Sequence, residues 1–132
     1  MSKYIDRAIE LRADTSFHCN CAQAVIIPFL ENSIPKDELL KVFSNYGRGM
    51  RIKGLCGAVS GGVTVLGYFG INDDEILNEF YERTKEALGG YLDCKDLLPL
   101  NPDNSKGNRP YCNTLIFKTI EIVEDMLQRY VK

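Results

Sequence analysis

Five cysteines stand out in this 132-residue chain: Cys19, Cys21, Cys56, Cys94 and Cys112. Thiols in this number can exchange disulfides, ligate zinc or hold an iron–sulfur cluster, and in each case the reactive form is the thiolate. The spacing excludes the familiar short arrangements. No C-x-x-C is present, so neither a thioredoxin-type pair nor a zinc ribbon is encoded locally. No ferredoxin spacing fits either. Any site containing several of these cysteines must be assembled by the fold.

The elements that carry the thiols follow from apolar periodicity, which is helical almost throughout. Tyr4, Ile5, Ala8, Ile9 and Leu11 mark a first amphipathic helix. "NCAQAVIIPFL" marks a second, with Asn20 as N-cap and Gln23 completing a capping box, and with Pro28 expected to kink it or end it early. "IPKDELLKVFSNYG" predicts a short helix stopping at Gly47, and "LCGAVSGGVTVLGYFG", apolar all round, predicts a buried central one. "NDDEILNEFYERTKEALGGY" is amphipathic, capped by Asn72 or Asp73. "DCKDLL" reads as a single turn, "PLNPDNSKGNRP" as a polar loop, and "YCNTLIFKTIEIVEDMLQRYVK" as a long last helix entered through Pro110. The expected fold is all-α, a single domain over residues 1–132 built as a bundle of about five or six helices.

On this map Cys21, Cys56, Cys94 and Cys112 all fall at helix starts. Unpaired N–H groups and the positive end of the helix dipole favour an anion there, so the setting is expected to lower thiol pKa values. If those starts converge, they form a pocket for anionic sulfur. Cys19 cannot share the direction of Cys21 if both are helical, because two positions turn the chain by about 200°. In a loop it would be available as a resolving thiol. His18, the single histidine, reads as a partly exposed residue at a helix start rather than as a ligand.

The glycines pose a separate question. Gly47, Gly49 and Gly54 lack both the preceding strand and the following Gly-Lys-Ser/Thr of a phosphate loop. Arg48, Arg51 and Lys53 read as a solvated basic loop able to attract an anion. Gly57, Gly61 and Gly62 form a smooth stripe on the buried helix, open to close approach by a neighbouring helix or by a cofactor touching Gly57 and Gly61.

Composition bounds the rest. Hydrophobic residues are 45% and charged residues 26%, an ordinary globular balance, and a net charge of −2 gives no support for nucleic-acid binding. The charged N-terminus lacks the apolar stretch of a signal peptide, and no run approaches the roughly 20 apolar residues of a membrane span. A soluble, cytoplasmic protein is expected. Structural disulfides are rare in that compartment, which favours metal or redox roles for the thiols.

Cys56-Gly57-Ala58-Val59-Ser60-Gly61 matches a C-G-A-x-x-G motif. Together with Cys21 in "NCA" and with Cys94 and Cys112 in the last third, it resembles the C_GCAxxG_C_C family of proposed redox-active proteins over nearly the whole chain. The resemblance implies that Cys21, Cys56, Cys94 and Cys112 are the functional set, and it implies nothing for Cys19. The expectation is a redox or electron-transfer protein, an oxidoreductase or electron carrier. Its four thiolates either ligate an iron–sulfur cluster or form reversible disulfides, working with a redox partner protein and open to homodimerisation. The alternatives are a structural zinc site on the same four cysteines, or a metal-free helical interaction protein.

Overall fold

The computed structural model describes residues 2–97, 99 and 110–131, with the backbone alone for Pro110 and Tyr111. Among them the chain is mostly helical and contains no β-strand. Seven α-helices follow in order: α1 (Lys3–Ala13), α2 (Cys21–Leu30), α3 (Lys36–Val42), α4 (Gly57–Tyr68), α5 (Asp74–Ala87), α6 (Cys94–Leu97) and α7 (Pro110–Tyr130). Between α3 and α4, Gly49–Lys53 form one wide turn closed by the Gly54 N–H on the Gly49 carbonyl at 3.0 Å. The expected polar loop from Pro99 to Pro110 lies for most of its length outside the described residues.

The most heavily buried element is α2, where every residue from Ala22 to Leu30 is shielded from solvent. An apolar helix of this kind forms because its neighbours surround it: α1, α3, α4 and α7 all pack on it, α4 most extensively. Its start is fixed by the expected capping box. The Asn20 side chain accepts from the Gln23 N–H, and the Asn20 N–H donates to Gln23 Oε1, both at 2.8 Å. Pro28 does not stop the helix, which continues to Leu30. The proline withholds an N–H only from the last full turn, and the chain turns off immediately after, with the Glu31 N–H on the Ile27 carbonyl.

Helix α3 ends at Val42, earlier than the Gly47 boundary the sequence suggests. The reason is tertiary. Asn20 Nδ2 donates to the Phe43 carbonyl at 2.9 Å and Gln23 Nε2 to the Leu40 carbonyl at 2.7 Å, so the cap of α2 also captures carbonyls at the end of α3.

The glycines of α4 are packing surfaces. A Cβ on Gly61 would stand 2.9 Å from the Ala22 carbonyl oxygen and 3.1 Å from Val25 Cβ, and one on Gly57 would stand 3.1 Å from Cys21 Cβ. One on Gly62 would stand 2.6 Å from Phe80 Cζ of α5. The stripe thus lets α4 lie against α2 on one side and the α5 aromatic on the other. The space beside Gly57 and Gly61, the candidate cofactor contacts, is occupied by α2.

Candidate dithiol site

Each candidate cysteine stands at a helix start. Cys21 is the first residue of α2, Cys94 the first of α6 and Cys112 the third of α7. Cys56 is one step earlier than a first-turn residue: it is the N-cap of α4, with extended backbone and no side-chain cap hydrogen bond.

Backbone geometry brings Cys56 to Cys94. The Cys56 N–H donates to the Leu92 carbonyl and the Cys94 N–H to the Gly54 carbonyl, both at 2.8 Å. Between these bonds Leu55 and Asp93 face each other as an isolated antiparallel bridge. This bracket holds the two chain segments in register, and the Cys56 thiol hydrogen-bonds to Cys94.

A side chain performs the same task for Cys21 and Cys112. Arg12, on α1, donates from Nε to Asn113 Oδ1 at 2.7 Å and from Nη1 to the Cys19 carbonyl at 2.6 Å. It therefore ties the segment entering α2 to the residue that follows Cys112. The Cys21 thiol hydrogen-bonds to Cys112 and also lies within electrostatic reach of Cys56, so the two pairs are neighbours. Cys56, Cys94 and Cys112 are buried, while Cys21 retains partial exposure.

The electrostatics depart from the expectation of acidified thiols. Cys21 is pushed well above the usual thiol range, first by its hydrogen bond to Cys112, then by burial and by repulsion from Cys112 and Cys56. Cys56 is pushed up in the same way, by its hydrogen bond to Cys94 and by burial. The Ala58 and Val59 N–H groups at the start of α4 pull Cys56 toward the thiolate, as a helix N-terminus should, but they are outweighed. Taking a thiol out of water and giving its proton a sulfur acceptor both favour the protonated form.

Arg12 is the residue of the candidate site that sequence reading misses. Its charge is the one cationic influence favouring the thiolate among the main effects on Cys21, and it acts on Cys19 as well. Nothing in the spacing of α1 against the cysteines signals it, since only packing brings the helix there.

Cys19 and His18 lie apart from the pairs. Cys19 sits in the loop before α2 but is only 4% exposed, and burial pushes its thiol up to about 11 against the pull of Arg12, Arg7 and Lys36. No other thiol is among the groups acting on it. His18 is exposed and lines a cavity beside Asn20. Among the described residues no three or more His, Cys, Asp or Glu side chains are gathered as a metal-holding group, and the four cysteines are arranged two by two. No helix of the described residues is long and apolar enough to cross a membrane.

The described residues thus define an all-α protein that gathers neighbouring thiol pairs at helix starts. A family model described as "Putative redox-active protein (C_GCAxxG_C_C)" matches residues 19–126. The chain belongs to that family. Comparison with curated proteins and with solved structures returns no match.

Proposed function

We propose that this protein carries out dithiol–disulfide exchange through two pairs, Cys21 with Cys112 and Cys56 with Cys94. The observation that carries this reading is the pairing itself: two thiol–thiol hydrogen bonds, each made between separate helix starts. Cys21, whose residue alone among the four is not fully buried, is taken as the attacking thiol, and its enclosed sulfur must be uncovered for a partner disulfide to reach it. Its thiolate attacks one partner sulfur, forming a mixed disulfide and releasing the other sulfur as a thiolate that takes up a proton. Cys112 then loses its proton and attacks the Cys21 sulfur, closing the internal disulfide and freeing the second partner thiol. The sum is two protein thiols plus a partner disulfide going to one protein disulfide plus two partner thiols. Cys56 and Cys94 repeat the exchange on the internal disulfide, which regenerates Cys21 and Cys112 as thiols. The co-reactant is a protein or low-molecular-weight disulfide.

The test is an anaerobic preparation equilibrated in dithiothreitol buffers of graded redox poise, followed by thiol counting, peptide mapping, and iron and zinc analysis. Linked peptides joining Cys21 to Cys112 and Cys56 to Cys94, formed reversibly, are expected. Stoichiometric iron with acid-labile sulfide would replace the reading with a cluster on the same cysteines, and stoichiometric zinc would replace it with a structural site. Metal-free protein with a constant thiol count would overturn redox and metal readings together.

A further inference from the structure

Beside Asn20 lies a cavity of about 510 Å³. Its walls include Phe17, His18, Leu40, Ser44, Arg48 and Arg51, and among the described residues no carboxylate lines it. Asn20 and Gln23 form its floor, but their side chains are engaged with the backbone of α3 and with each other. The Ser44 hydroxyl likewise donates to the Lys41 carbonyl at 2.9 Å, so the groups left to recognise a ligand are the two guanidinium groups and the imidazole. Among the described residues neither Arg48 nor Arg51 forms an ion pair, unlike Arg7, which is paired with Glu31 at 2.9 Å. A further cation stands nearby, since Lys36 Nζ lies 5.2 Å from the centre of the Phe17 ring.

The loop that supplies the arginines is shaped at a cost. Arg48, Met50, Arg51 and Lys53 all have positive φ, between 55° and 64°, a region side-chain-bearing residues seldom occupy. Strain of this kind persists only where the surroundings fix it, and it clusters at ligand sites. Here the fixing contacts are visible: Gly47 packs on Asn20, and Gly54 is held by both Gly49 and Cys94. The turn directs Arg48 and Arg51 to the cavity wall while Ile52 is left 81% exposed outside it.

We infer that this cavity is a binding site for a small organic anion, with Arg48 and Arg51 clamping a phosphate or carboxylate group and Phe17 and Leu40 covering its apolar body. Guanidinium forks recognise both oxyanions in two-point fashion. The site stands independently of the dithiol reading, because none of its lining residues is a cysteine.

The experiment is isothermal titration calorimetry of the full chain at low ionic strength with pyrophosphate and, separately, with citrate. Saturable one-site binding of at least one probe is expected, and the tighter of the two assigns the oxyanion. Arg48→Gln and Arg51→Gln should each weaken it by about tenfold, the loss of one charged contact. Lys53→Gln, on the same loop but outside the cavity wall, should change it less than about twofold. Far-ultraviolet circular dichroism identical to the parent shows that each variant is folded. Failure of both probes to bind, or an equal loss in Lys53→Gln, overturns the inference.

Discussion

Arg12→Gln tests the argument where fold and chemistry meet. Arg12 makes two charge-assisted hydrogen bonds, at 2.7 Å to Asn113 and 2.6 Å to the Cys19 carbonyl. Bonds to charged groups contribute about 1.5–3 kcal/mol each. The site is only partly buried, so water replaces some of each, and glutamine can remake at most one. The expected loss is therefore about 2–3 kcal/mol. At a urea slope of about 2 kcal/mol per molar, that moves the unfolding midpoint down by about 1–1.5 M. The same substitution removes the cation that favours the Cys21 thiolate, so the pH profile of Cys21 alkylation by iodoacetamide should move to higher pH. Arg7→Gln is the control. Arg7 ties α1 to α2 through Glu31 at 2.9 and 3.1 Å but is not among the main influences on Cys21. It should lower stability by about 1 kcal/mol and leave the alkylation profile in place. An Arg12→Gln midpoint within 0.2 M of the parent, or a profile that is unmoved or shifted to lower pH, would refute the clamp.

Three further outcomes are expected. Cys19 ionises near 9 when unfolded and near 11 when folded, so the unfolded state alone loses the proton between those values. Its contribution is complete below pH 9 and falls by about 1.4 kcal/mol per pH unit, about 2–3 kcal/mol in all, by pH 11. The difference in pH slope between parent and Cys19→Ala, from urea titrations across that window, measures it. Gly61→Ala and Gly67→Ala should differ in sign on thermal unfolding. The first places a Cβ 2.9 Å from the Ala22 carbonyl oxygen and should destabilise by about 1–2 kcal/mol net, whereas the second meets nothing within 4 Å and should stabilise by about 0.5 kcal/mol or more. Asn20→Ala breaks the capping box and releases the Phe43 carbonyl, with an expected loss of about 2 kcal/mol and earlier hydrogen exchange at the start of α2.

The local instructions are strong in this chain. Asn20 and Gln23 announce the start of α2, Asp73 that of α5, and Pro110 that of α7, because caps and prolines act through atoms only a few residues away. That Cys21, Cys94 and Cys112 stand within first turns is readable for the same reason. Cys56 is displaced by one position to the cap, within the usual uncertainty of a helix boundary. The end of α3 is not readable, since it depends on carbonyls captured by Asn20 and Gln23 from another helix.

What the sequence alone determines is a set of helices, four of them beginning at or beside a thiol, and a glycine stripe that permits one of them to pack closely. Only the tertiary structure decides which thiol meets which. The Leu55–Asp93 bridge joins Cys56 to Cys94, and Arg12 draws the Cys19 carbonyl toward Asn113 and so Cys21 toward Cys112. It also reverses the sign of the electrostatics. A helix start in water acidifies a thiol, but burial beside another S–H raises it, and burial is a property of the assembled helices rather than of any one of them.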